Sequence, residues 1–231
     1  MADTVPNLRD LGGIAIDEGV VAPARLLRSA APAVGDAAPV GVVWPPVTVV
    51  DLRSASEIEP DHPLAEHATI HRAPLLGALR PGAALPTDLP GLYVRVVDDA
   101  APLLVEVVRA IATSPGPALV HCAAGKDRTG ISVALALLLV GADPDDVLTD
   151  YLETSKHREA IDARLTRGPG HEHRITLPAS FYETPAEAIT GVIEAWDAHD
   201  GGLHGWFTAA GGTDDDLFRL HGHLRGDTMG A

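Results

Sequence analysis

Apolar residues fall along this chain in two arrangements. Short apolar runs closed off by Pro, Gly or charged residues mark strands buried in a sheet. Ala24 to Ala30, Val47 to Val50 and Ala118 to Val120 read this way, and Ala68 to Arg72 suggests a further short strand. Elsewhere the apolar positions return every three or four residues, the period of a helix with one buried stripe. Tyr93, Val96, Val97, Ala100, Leu104, Val107, Val108 and Ile111 form such a stripe. It predicts one amphipathic helix over Leu92 to Ala112, or a pair broken near Pro102, stopped by Ser114-Pro115-Gly116-Pro117. Ile131 to Val140 is apolar on every side, so it predicts a buried helix; ten residues fall far short of the ~20 that span a bilayer.

Polar punctuation sets the remaining boundaries. Ser54-Ala55-Ser56-Glu57 is a capping-box pattern that opens a short helix ended by Pro60. Asp143-Pro144-Asp145-Asp146 supplies a cap, a proline at the first helical position and first-turn acids for a helix carrying Val147, Leu148, Tyr151 and Leu152. His157 to Leu165 continues as a more polar helical segment. Thr184-Pro185-Ala186-Glu187 is a second capping-box pattern, with Ile189, Val192, Ile193 and Trp196 on the helix it starts and Gly201-Gly202 closing it. Thr213 to Asp216 caps a last helix bearing Leu217, Leu220 and Leu224, and the tail from Gly226 is expected to fray. Asn7 to Gly13 reads as a polar turn, and Pro74 to Pro90 has so few anchoring residues that a flexible lid is expected over about 74–90. Strands alternating with helices imply one α/β domain over 1–231, with a C-terminal helical part over about 184–225. Its sheet would be mostly parallel, of about four to five strands, with the site beyond their carboxyl ends.

Composition narrows the partners. A chain of 231 residues with 46% hydrophobic and 21% charged residues can bury a full core. Its net charge of −15 argues against nucleic acid or an anionic membrane as a general partner, so any phosphate affinity must be local. The single cysteine forbids an intramolecular disulfide and suits a reducing compartment, and the cytoplasm is the expected location. His171-Glu172-His173 offers two histidines beside Gly168-Pro169-Gly170 without a third ligand at useful spacing, which is the pattern of a solvated loop; His199, His204, His221 and His223 are scattered, and no metal or other cofactor is expected.

That cysteine stands where chemistry is expected. His121-Cys122-Ala123-Ala124-Gly125-Lys126-Asp127-Arg128-Thr129-Gly130 joins the Ala118 strand to the buried helix. A helix N-terminus facing Cys122 favours its thiolate. The small residues Ala123, Ala124 and Gly125 let backbone N–H groups, together with those of Lys126, Asp127 and Arg128, converge on an oxyanion. Arg128 can hold two phosphoryl oxygens with one planar fork, and Thr129 brings a hydroxyl near the sulfur. A nucleotide P-loop would need Gly at 120 and Ser or Thr at 127, where Val120 and Asp127 stand. A rhodanese-type sulfurtransferase loop does not end in Arg-Thr.

This loop resembles the signature of the cysteine-dependent protein tyrosine phosphatases. With Lys126 and Asp127 inside it, and with Asn7-Leu8-Arg9-Asp10-Leu11-Gly12-Gly13 upstream, the chain is similar to their bacterial tyrosine/serine branch over most of its length. The resemblance implies phosphomonoester hydrolysis, chiefly of phosphotyrosine, through a cysteinyl-phosphate intermediate. It also implies that the Asn7 to Gly13 element lies close to the site, where Arg9 reads either as a phosphate-side charge or as a surface arginine in a turn. Lys126 would add a second cation over the anion, a feature of phosphoinositide-active members, so a phosphoinositide phosphatase or one of broad dual specificity is the alternative enzyme; an inactive phosphate-binding module is the non-enzyme alternative. His121 is expected to orient the loop or tune Cys122. For the general acid, Asp127 is the first candidate and Asp51 the second, ahead of Asp88, Asp98 and Asp99. Asp51 and Arg53, at the end of the Val47 strand, read either as site residues or as an ion pair.

Overall fold

Strand pairing gathers the apolar runs into one sheet. The computed structural model describes residues 4–79, 86–166 and 183–226. In chain order its strands are β1 (Arg9–Asp10), β2 (Ala15–Ile16), β3 (Gly19–Val20), β4 (Leu26–Ser29), β5 (Thr48–Asp51), β6 (Thr69–Arg72) and β7 (Ala118–His121). The main sheet has the order β1-β4-β7-β5-β6; β4, β7, β5 and β6 run parallel and β1 is antiparallel at the edge. The expected four to five strands are thus present. β1 arises inside what the sequence suggested was only a turn, and β2 and β3 form a separate hairpin that the apolar pattern did not reveal.

Alternation along each central strand sorts its side chains between two cores. Leu26, Val50 and Val120 join the larger cluster, which also holds buried residues of the helices; Leu27, Val49 and Leu119 join a smaller one with Val5, Leu8 and Leu64. The helices are α1 (Leu89–Asp99), α2 (Ala101–Ala112), α3 (Asp127–Leu138), α4 (Pro144–Glu153), α5 (Arg158–Leu165), α6 (Ala186–Asp197), α7 (Gly202–Ala209) and α8 (Asp214–Arg225). None of them is long and apolar enough to cross a membrane.

Several boundaries differ from the pattern for identifiable reasons. The long stripe is the broken pair, α1 and α2, with Pro102 in the first turn of α2, where its missing N–H costs nothing. The buried helix begins at Asp127, since the polar loop residues form its first turn and Gly130 N–H donates to the Lys126 carbonyl at 2.8 Å. The second capping box does not form: α6 starts after Pro185 with no side-chain cap. Gly201, at φ 77°, starts α7 instead of merely ending a helix. In the expected lid, Leu75–Ala78 is a 3₁₀ turn with Leu75 buried and α1 begins at Leu89, while 80–85 lie outside the described residues. The parallel register sets Ser29, His121 and Asp51 side by side at the carboxyl edge, and Cys122 leaves the sheet there.

Candidate active site

The segment from Cys122 to Arg128 is held by its carbonyls. Ala123 O accepts from Ala31 N–H at 3.1 Å, Ala124 O from Asn7 Nδ2 at 3.4 Å, and Gly125 O from both Asn7 Nδ2 and Arg28 Nη2 at 2.9 Å each. Three successive carbonyls therefore turn away from the loop's centre. Among the described residues, the amides of Ala123, Ala124, Gly125, Asp127 and Arg128 donate to no protein acceptor. Orphan amides at a helix start form an anion nest. Gly125 is required here: its φ is +66°, and a Cβ would lie 2.2 Å from Ser29 O.

Arg128 is buried, and its guanidinium is oriented by Glu57. Nη1 donates to Glu57 Oε2 at 2.6 Å and to Leu52 O at 3.3 Å, and Nη2 donates to Glu57 Oε1 at 2.8 Å. Of five N–H donors, the two left are Nε–H and the second Nη2–H, which lie along one edge and point the same way. Burial works against the charge, but the Cys122 sulfur and the Glu57 carboxylate keep the group protonated, above its ordinary value. Glu57 is held below the usual carboxylate range because the hydrogen bonds and charge of Arg128 outweigh its burial. Neither spacing nor periodicity pointed to Glu57, whose bond to Ser54 N–H at 2.8 Å is the predicted capping interaction.

Asp127 opens α3 and faces the pocket. Its Oδ1 accepts from the Tyr93 hydroxyl at 2.7 Å, and Lys126 Nζ lies 3.4 Å away. Burial first, then the neighbouring Asp127, keeps the Tyr93 phenol well above its ordinary value, so it remains the donor. Lys126 is buried and donates to Glu183 O at 2.6 Å, so the second cation expected over the anion is directed toward the chain before α6. Thr129 Oγ1 is buried with no hydrogen-bond partner among the described residues, the sulfur included. The other acids are engaged or remote. Asp88 caps α1 through Gly91 N–H, Asp99 pairs with Arg95, Asp98 is exposed, and none lines the pocket.

Asp51 does not enter the site. It is 1% exposed and bound on both oxygens by Arg53, at 2.9 and 2.8 Å, so both residues form the ion pair, and Asp51 is withdrawn as a general-acid candidate. Burial would raise its carboxyl, but the Arg53 bonds outweigh it and bring the value to about 2. Beside it stand His121 and His62, a residue that no motif singled out. Leu64 N–H donates to His62 Nδ1 at 3.1 Å, the two Nε2 atoms are 3.0 Å apart, and His121 Nδ1 lies 3.2 Å from Cys122 O. Only one proton arrangement satisfies all three contacts: His62 Nε2–H donates to His121 Nε2, and His121 Nδ1–H to the carbonyl. These three side chains have metal-like spacing. With the nitrogens bonded to each other and the carboxylate held by Arg53, they read as a hydrogen-bonded cluster. The His171 and His173 loop lies outside the described residues.

Burial lowers His62 to about 4 and His121 to about 3, so both are neutral at pH 7. An unfolded chain protonates them near pH 6.5 and then binds more protons than the folded one. Stability should therefore fall as pH drops from 6.5 through the lowered values, by up to about 1.4 kcal/mol per pH unit for each proton. Thermal unfolding between pH 7 and 4 checks this: His62→Gln should reduce the slope, and an unchanged slope would assign the protons to other groups.

Arg9 is also turned from the phosphate. Its Nε donates to Asp150 Oδ1 at 2.7 Å and its Nη2 to Asp150 O at 2.7 Å, behind the loop. In front of the loop is a pocket of about 480 Å³ with Cys122, Asp127 and Arg128 at its base. Leu76, Leu89, Leu92, Val96, Ile161, Leu165 and Pro185 form apolar walls, and Arg158, Asp162 and Glu183 are among the polar lining.

A sequence profile described as the tyrosine phosphatase family matches residues 1–226. A relative from Cupriavidus necator, whose name assigns it provisionally to the tyrosine-protein phosphatases, is 31% identical over 96% of this chain and 86% of its own. The triple specificity protein phosphatase PtpB of Mycobacterium tuberculosis is 33% identical over 48% of this chain and 44% of its own length. A tyrosine-protein phosphatase of Nostoc commune is 27% identical over 59% of this chain and 49% of its own.

Proposed function

The chain belongs to the tyrosine phosphatase family, and from that membership we propose that Cys122 attacks the phosphorus of a phosphotyrosine held in the Ala123 to Arg128 nest. The chain is a cysteine-based protein-tyrosine phosphatase acting on phosphorylated substrates. The observation that carries the residue assignment is the outward turn of the Ala123, Ala124 and Gly125 carbonyls, which leaves amides and the free edge of Arg128 for the equatorial oxygens.

In the first step the sulfur–phosphorus bond forms as the phosphorus–oxygen bond to tyrosine breaks. The electron pair goes to the phenol oxygen, which takes a proton from Asp127. In the second step water attacks phosphorus, Asp127 takes its proton, and the sulfur departs with the P–S electron pair, giving inorganic phosphate. Thr129 Oγ1, unpartnered as it stands, is available to the departing sulfur. A lone nucleophilic thiol of this kind is best preserved in a reducing compartment such as the cytoplasm.

Phosphotyrosine is favoured over phosphoinositides by the pocket. Its apolar walls suit an aryl ring, whereas Arg128 is engaged by Glu57, Lys126 by Glu183 O and Asp127, and Arg158 lies near Asp162 at 3.6 Å. A second phosphate would meet carboxylates among these described residues. The test compares wild type and Asp127→Asn without added metal on p-nitrophenyl phosphate, a phosphotyrosine peptide and an inositol phosphate. Wild type should prefer the peptide to the inositol phosphate. Asp127→Asn should lose about 10²–10⁴-fold on the peptide, whose leaving phenol needs a proton, and much less on p-nitrophenyl phosphate. Equal losses on both would remove Asp127 from the acid role.

A further inference from the structure

Behind the phosphate loop a circuit of hydrogen bonds closes on itself. Asn7 Nδ2 and Arg28 Nη2 both donate to Gly125 O at 2.9 Å. Arg28 Nη1 also donates to Asp150 Oδ2, Arg9 Nε to Asp150 Oδ1 at 2.7 Å, and Arg9 Nη1 to Asn7 Oδ1. Asn7, Arg9, Asp150, Arg28 and the Gly125 carbonyl thus form a ring contributed by the N-terminal turn, β1, α4, β4 and the loop. Asn7 and Arg28 are almost fully buried. None of these residues borders the pocket.

We infer that Asn7 is a positioning residue for catalysis, the member of this ring that sets the anion affinity of the phosphate loop. The inference rests on the phosphatase reading. An amide side chain can face either way, but Arg9 has only donors, so it claims Oδ1 and commits Nδ2 to the loop. Gly125 O then receives two donors and cannot swing inward, where a carbonyl oxygen would repel the phosphoryl oxygens. Two guanidinium groups share the Asp150 carboxylate beneath the anion. Asp150 stays ionised: burial would raise it, but the Arg28 and Arg9 charges hold it below its ordinary range. Arg9 is lowered to about 10 by burial and by Arg28, and remains charged at neutral pH.

The backbone permits a clean test, since Asn7 has φ 60°, a conformation that Gly and Asp also accept. Asn7→Asp keeps the shape and the Arg9 contact but puts an acceptor against Gly125 O; Asn7→Gly only deletes the side chain. The measurements are kcat and KM on p-nitrophenyl phosphate, inhibition by vanadate as a mimic of the transferring phosphoryl group, and thermal unfolding. Asn7→Asp should lose about tenfold or more in kcat and in vanadate affinity, and Asn7→Gly less, although Asn7→Gly loses more thermal stability. A merely structural role predicts the opposite order, with activity following stability. If Asn7→Asp does not fold, Asn7→Gly carries the test, and unchanged vanadate affinity in it overturns the inference. Wild-type turnover and an inert Cys122→Ser in the same assays uphold the phosphatase reading. With those in place, wild-type kcat and vanadate affinity in Asn7→Asp overturn the role of Asn7 alone.

Discussion

Cys122→Ser should abolish turnover, by at least about 10⁴-fold, while phosphorylated ligands still bind. A serine hydroxyl must lose its proton to attack, and among the described residues Asp127 has to carry a proton for the leaving phenol at that step while the other groups beside the hydroxyl are committed elsewhere. The neighbouring His121 has Nδ1 directed at the Cys122 carbonyl and Nε2 at His62, and it is completely buried. Glu57 is committed to Arg128, and Asp51 to Arg53. The nest is assembled from backbone amides and contacts that do not involve the sulfur, so affinity for phosphate should persist. Stopped turnover with retained vanadate or phosphopeptide binding is the expected pair of readings. Activity near the wild-type rate in this variant would overturn Cys122 as nucleophile.

Arg128→Lys should lower kcat by about 10²–10³-fold, the range for removing one preorganised donor to a developing oxyanion. The reason is a count of donors. The guanidinium meets Glu57 with two nitrogens and Leu52 O with one of them, and still presents a two-donor edge. An ammonium has three donors around one nitrogen and cannot grip a carboxylate bidentately while offering a second parallel pair. Lysine would pair with Glu57 or with the phosphate. Steady-state kinetics and vanadate inhibition check this: both should suffer in a folded variant, and near-normal values would mean that the free edge of Arg128 does not meet substrate.

The readable part of this protein was contiguous. Ten residues from His121 to Gly130 hold the nucleophile, the nest and the arginine, so their order alone discloses the chemistry. The central strands and most helix starts were legible because burial and capping are local properties. Polar partners across the fold were not, since periodicity carries nothing about which distant groups meet. Glu57 lies 71 positions from Arg128, and His62 59 positions from His121. Two signals were present without being decisive. Arg28 interrupts the run Leu26-Leu27 in a strand buried throughout, and a charge there demands a partner. Asp150 sits on α4 in line with Val147 and Tyr151, on the face that turns inward. Asp51 shows the reverse error: a carboxylate at the carboxyl edge of a parallel strand looks catalytic until Arg53, two residues on, closes over it.

The ring behind the loop also fixes when the site comes into being. Its bonds join positions 118, 122 and 141 residues apart, from the seventh residue to the one hundred and fiftieth. Contacts of such separation form late, after the chain has lost most of the entropy that opposes loop closure. A nascent chain that has emerged only as far as Gly130 carries the complete signature but lacks Asp150, and with it the brace that turns the Gly125 carbonyl outward. The signature alone is therefore not yet an enzyme. Competence requires the folded sheet and α4, so copies that lack either carry the thiol without the cradle that would let it act on phosphate.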